Sequence, residues 1–146
     1  MSAAKLSSPR SVLFACTLNA VRSPMAEGLF RAMLGSKIYV DSAGLSTASL
    51  DGFAVAVMAE IGIDIRNHNT QGFDDLDLGE FDLIIALSPE AVHMARQLTR
   101  HSSVEIEYWP TDDPSTETAG SRESRLEAYR QVRDQIKRGI EKRFAV

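Results

Sequence analysis

The chain has 146 residues, 44% of them apolar and 25% charged, with nine Gly and five Pro. These proportions fit one globular domain and exclude a disordered, collagenous or coiled-coil chain. The net charge of −4 argues against a nucleic-acid partner, and no apolar run reaches the ~20 residues of a membrane span, so no membrane association is expected. A lone cysteine, Cys16, excludes an internal disulfide and a multi-cysteine zinc site. Residues 1–10 read as a flexible polar tail without the hydrophobic core of a signal peptide, which predicts a cytoplasmic protein. Residues 11–146 read as one domain.

Val12-Leu13-Phe14-Ala15 predicts a strand buried on both faces. Ser23-Pro24 is an N-cap and N1 pair for a helix reaching Leu34, with Glu27 in its first turn and Gly35 as its stop. Ile38-Tyr39-Val40 is a second strand, ending at Asp41-Ser42-Ala43-Gly44. A second helix starts near Asp51 and ends before Gly62. Phe81 to Leu87 is a third strand, and Ser88-Pro89 caps a helix reaching about Thr99. Val104 to Tyr108 alternates strictly, which predicts an edge strand with one wet face. Leu126, Tyr129, Val132, Ile136 and Ile140 recur at steps of three and four, so Ser121 to Phe144 is an amphipathic helix. Residues 121–146 carry eight Lys/Arg against four Asp/Glu, which predicts a solvated basic face or a docking surface for an acidic partner. Alternating strands and helices imply a parallel sheet covered on both faces, with ligands bound beyond the carboxyl ends of the strands.

The loop after the first strand carries the chemistry: Cys16-Thr17-Leu18-Asn19-Ala20-Val21-Arg22-Ser23. It joins a buried strand to a helix N-terminus, where unpaired N–H groups and the positive dipole end favour an anion. A cysteine there has its thiolate stabilised, and Arg22 offers a planar fork for two oxygens of a phosphate-like group. Ser23 is placed to hydrogen-bond the sulfur, and Asn19 to accept left-handed backbone geometry. Trp109-Pro110-Thr111-Asp112-Asp113-Pro114 follows the fourth strand at the same sheet end; it is either plain turn chemistry or the source of a general acid. His93 and His101 receive no role. The acidic stretch Asp74, Asp75, Asp77, Glu80, Asp82 lacks the spacing of a calcium loop, so no metal is expected.

Residues 12–16, running on through Arg22-Ser23-Pro24-Met25-Ala26-Glu27, resemble the signature of the low-molecular-weight protein tyrosine phosphatases. That superfamily also contains thioredoxin- and glutathione-linked arsenate reductases. Asp41 to Gly44, Gly62 to His68, and Asp113-Pro114 with the terminal helix match as well. The resemblance implies a three-layer α/β fold with a four-stranded parallel sheet in the order 2-1-3-4. It further implies Cys16 as nucleophile, Arg22 as oxyanion ligand and Asp113 as general acid, with Asp112 as fallback. Thr17, Leu18, Asn19, Ala20, Val21, Arg22 and Ser23 would form the phosphate-binding loop, and Asn19, Ser23, Ser42 and His68 a supporting network. No cofactor is implied. The expected substrate is a phosphorylated protein or small phosphate ester, with phosphate, sulfate or arsenate as loop ligands.

Departures from the pattern bear on substrate. Family phosphatases usually have aromatic residues after the Asp-Pro, and here Ser115 and Thr116 follow, which predicts an open pocket unless Trp109 or Phe53 forms the wall. Ser88 stands where the family often has Asp, and nothing in the sequence explains it. Val21 occupies the place of a second loop cysteine found in some relatives. Asp112-Asp113-Pro114 and Gln131 to Asp134 look like the reductase branch, yet a disulfide relay along the chain needs cysteines that are absent. Three functions are weighed: a phosphomonoesterase working through phosphocysteine, a single-cysteine arsenate reductase using an external thiol, and a non-catalytic oxyanion-binding module.

Overall fold

The computed structural model describes residues 8–146. Strand β1 (Ser11–Cys16) lies inside a sheet with β2 (Tyr39–Gly44), β3 (Leu83–Ala86) and β4 (Glu105–Tyr108). The order is β2-β1-β3-β4 and every pairing is parallel, as the resemblance implied. Four helices cover it: α1 (Arg22–Leu34), α2 (Gly52–Ala59), α3 (Pro89–Leu98) and α4 (Arg122–Phe144). Val12, Phe14 and Cys16 turn to a core shared with α1, α2 and α4, while Leu13 and Ala15 turn to one shared with α3. A strand covered on both faces has no wet position, which is why its apolar run is unbroken.

Several expectations shift in place. Of the expected tail, only Ser8 to Arg10 is described, and Arg10 is already tied into the sheet. Its N–H donates to Asp82 Oδ2 at 2.8 Å and its carbonyl accepts from Tyr39. The third strand is shorter than Phe81 to Leu87, because Phe81 closes a 3-10 turn over Leu78–Glu80. Helix α1 begins one residue before Ser23: Val21 is its N-cap and no side chain caps it. Glu27 therefore lies beyond the first turn, and the Ser23 hydroxyl is free for other work. Gly35 does follow the helix, but in right-handed geometry with φ −64°, so a turn over residues 35–37 ends the helix rather than a left-handed glycine.

Strand β4 is an edge strand, but its glutamates do not face water alone. Glu107 accepts from Arg143 Nε at 2.6 Å, and Glu105 lies 3.7 Å from Arg143 Nη2. Arg143, near the end of α4, reaches over to both, so the outward-facing alternate positions of the edge strand carry ion-pair partners as well as solvent contact. The basic excess of α4 is spent in the same way. Arg130 meets Glu60, Glu123 and Glu127. Arg133, 8% exposed, donates to Glu60 and to the Val57 carbonyl near the end of α2. Arg130, Arg133 and Arg143, three of the eight basic residues in 121–146, thus clamp α4 to the end of α2 and to β4.

Candidate active site

Cys16 ends β1 and is 2% exposed. The chain then turns through Thr17 to Val21 into α1, with Asn19 in the left-handed region at φ 54°. That geometry, which Asn tolerates better than most residues, aims the Asn19 N–H at Cys16 Sγ, 3.3 Å away. Ser23 Oγ is 2.8 Å from the same sulfur. Asn19 Nδ2 already donates to Ser23 Oγ at 2.7 Å, which leaves the serine proton to point at the sulfur.

Asn19 is the hub of the loop and has no exposed surface. Its second amide hydrogen goes to Ser42 Oγ at 3.0 Å, and Ser42 donates onward to Glu27 Oε1 at 2.5 Å. Its Oδ1 accepts from the Gln71 N–H at 2.9 Å and meets His68 Nε2 at 3.0 Å. Because Oδ1 only accepts, the His68 hydrogen sits on Nε2. The other ring nitrogen faces Glu27 at 3.5 Å. Burial holds the His68 pKa below the ordinary histidine value, outweighing the attraction of Glu27 and Asp41. All four hydrogen-bonding positions of the Asn19 side chain are filled, which fixes the loop in one shape.

The structure brings Asn19, Ser23, Ser42 and His68 together, and adds Glu27 and Gln71, which sequence reasoning missed. A signal for Glu27 was present. Ser23, Glu27 and Arg31 are spaced four apart, a stripe on one face of α1, and Arg31 forms an ion pair with Glu27 at 2.7 Å. Gln71 carried no such signal, because a 52-residue separation joins it to Asn19. Gly44 is needed for close approach: a Cβ there would sit 2.7 Å from the Asn19 nitrogen and 2.6 Å from the Ser46 carbonyl oxygen. Ser88 also finds its account. It N-caps α3 through the Ala91 N–H and accepts from Thr17 Oγ1 at 3.1 Å, pinning the loop to a second helix.

Arg22 and Asp113 meet over this loop. The Trp109 and Thr111 amides bond to the Ala86 and Leu87 carbonyls, which carries the chain past β4 toward Cys16. Arg22, 8% exposed, donates from Nη1 to the Thr111 carbonyl at 2.9 Å. Its Nη2 is 3.9 Å from Asp113 Oδ2. Asp113 lines a cleft of about 580 Å³ whose floor is Cys16 and whose sides include Leu18, Ala48, Ser49, Asp51 and Ser115. Asp112 is exposed and does not line it.

No aromatic side chain lines the cleft. Trp109 packs edge-on to Phe14, with ring centroids 6.1 Å apart, and lies over Gly139. Phe53 packs on Tyr129 beneath the guanidinium groups of Arg122 and Arg125. Neither forms the pocket wall. Tyr129 instead supports the rim, donating to Asp51 Oδ2 at 2.8 Å; burial and this bond push its phenol pKa up. Among the described residues, no group of three or more His, Cys, Asp or Glu side chains is arranged to hold a metal ion. No helix among them is long and apolar enough to cross a membrane.

The model of the low molecular weight phosphotyrosine protein phosphatases matches residues 11–145. The chain belongs to that family. Within it, the arsenate reductase of Bacillus subtilis (strain 168) is 36% identical over 125 residues, covering 86% of this chain and 88% of that protein. A solved arsenate reductase in its phosphate-binding state superposes with a TM-score of 0.78 at 30% identity, covering 93% of this chain and 97% of the other. A tyrosine phosphatase of Erwinia amylovora shares the fold, with a TM-score of 0.77 at 21% identity over 94% of this chain and 92% of its own. The relatives of 30% identity or more named here are thus arsenate reductases, while the tyrosine phosphatase shows the shared fold.

Proposed function

We propose that the protein hydrolyses phosphomonoesters through a phosphocysteine. The observation that carries this reading is the placement of Asp113 beside Arg22, in a cleft floored by the chain's one cysteine. In the first step Cys16 Sγ attacks phosphorus while the ester oxygen departs with a proton from Asp113. In the second, Asp113 takes a proton from water, the water oxygen attacks phosphorus, and the P–S bond breaks to release phosphate. Arg22 and the amides of the 17–22 loop meet the charge on the phosphoryl oxygens, so the scheme needs no metal. Asn19, Ser23, Ser42 and His68 hold the loop and its sulfur. The substrate is a phosphorylated protein or a small phosphate ester, and phosphate, sulfate or arsenate are loop ligands.

A second reading, arsenate reduction, is favoured by the 36% identity to the Bacillus subtilis arsenate reductase. With a single cysteine, that reaction takes both electrons from external thiols: arsenate and two thiols give arsenite, one disulfide and water. One enzyme sample separates the two. Turnover of an aryl phosphate that persists in EDTA, with weak arsenate reduction by glutathione or thioredoxin, supports hydrolysis. Strong arsenate turnover with negligible ester hydrolysis overturns it.

A further inference from the structure

The hydrolysis reading asks Asp113 to release its proton from one particular oxygen. Oδ2 is the oxygen on the Arg22 side, 3.9 Å from Nη2, where a phosphoryl group would sit. Oδ1 is turned to Ser115, which donates to it twice, from its N–H at 3.0 Å and from its hydroxyl at 2.7 Å. An oxygen that already accepts two hydrogen bonds is a poor seat for a proton, since the proton would displace a donor or leave it unpaired. An acid with its proton on Oδ1 would present only a lone pair to the leaving group.

We propose that Ser115 is a positioning residue for proton transfer. By filling Oδ1 from two donors, it holds the Asp113 carboxyl in one orientation and makes Oδ2 the oxygen that gives and takes the proton. This inference rests on the hydrolysis reading. It also gives a reason for Ser115, where the family resemblance leads one to expect an aromatic residue. A hydroxyl on a single methylene reaches Oδ1 of the residue two before it, whereas a ring at that place would stand in the cleft as a wall.

Two esters with different leaving groups test the idea. Phenoxide leaves poorly without a proton, and 4-nitrophenoxide leaves readily, so damage to proton delivery shows most on phenyl phosphate. The readout is kcat/KM, which covers phosphocysteine formation. Ser115→Ala is expected to lose about fivefold on phenyl phosphate, the worth of one hydrogen bond, and clearly less on 4-nitrophenyl phosphate. Ser115→Thr, which keeps the hydroxyl, is expected to hold the wild-type ratio between the two esters. Equal loss on both esters, no loss on either, or failure of Ser115→Thr to restore the ratio overturns the inference alone. Wild-type enzyme that hydrolyses neither ester overturns the hydrolysis reading, and this inference with it.

Discussion

The two sides of Cys16 are built differently. On one, Asn19, Ser23 and Ser42 have no exposed surface and Glu27 has 6%, and hydrogen bonds join them to each other and to β2. On the other, the Asp113 side chain is 30% exposed and is held by a single 3-10 turn, Pro114–Thr116, through one neighbouring serine. The Asn19 side resembles a piece of core, in which every polar group is paired because an unpaired one is costly. The Asp113 side is a rim, anchored where needed and otherwise open. On the hydrolysis reading, a site of this design would keep its oxyanion geometry constant and leave the chemistry of the leaving group to a small number of surface residues.

The buried side is disabled most directly at the sulfur. Cys16→Ser is expected to lower aryl phosphate turnover by at least about 10⁴-fold while retaining phosphate binding measured by calorimetry. Retained turnover would show that the buried side does not supply the nucleophile. On the open side, Asp113→Asn is expected to slow turnover by roughly 10²–10⁴ with little change in melting temperature. Asp112→Asn, exposed and outside the cleft, is expected to do far less; the reverse ranking would move the acid by one residue.

Gly44→Ala probes the packing of the closed side. The new methyl would press on backbone atoms of Leu18, Asn19 and Ser46, so a loss of about 1–3 kcal/mol in denaturant unfolding is expected. Phosphate affinity is expected to fall with it, because the displaced atoms are those of the loop. Unchanged stability would mean that the loop is less tightly held than its hydrogen bonds imply.

The smallest effect concerns His68. Its pKa is lowered from 6.5, chiefly by burial, so the folded protein binds that proton less readily than the unfolded chain. The stability this contributes is whole above the unfolded value and is lost as pH falls through the lowered one. Melting temperature is therefore expected to drop on acidification from about pH 7 toward 5. His68→Gln is expected to flatten that slope, and an identical slope in the variant would remove His68 from the account.

Much of this was legible in the residues. The burial of β1 follows from Val12 to Ala15, the stripe of α4 from steps of three and four, and the strand-to-helix loop of the candidate site from the run between Cys16 and Ser23. Local signals failed where one residue had two possible partners. Ser23 has the chemistry of a helix cap, yet it serves the sulfur, because Asn19 is close enough to orient its hydroxyl. Glu105 and Glu107 alternate as wet positions do, yet they pair with Arg143 from the far end of the last helix.

Residue type and near-neighbour spacing were enough for the element order, the apolar faces and the loop that carries Cys16 and Arg22, whereas Asp113 was singled out by the family resemblance. What these residues touch is set by the tertiary packing. It joined Gln71 to Asn19 across 52 residues and Arg22 to the Thr111 carbonyl across 89. It packed Trp109 and Phe53 against the core, away from the cleft, and it gave the two oxygens of Asp113 different surroundings. Such contacts arise when parallel crossovers bring distant loops to one end of the sheet, where distance in the chain no longer governs distance in space.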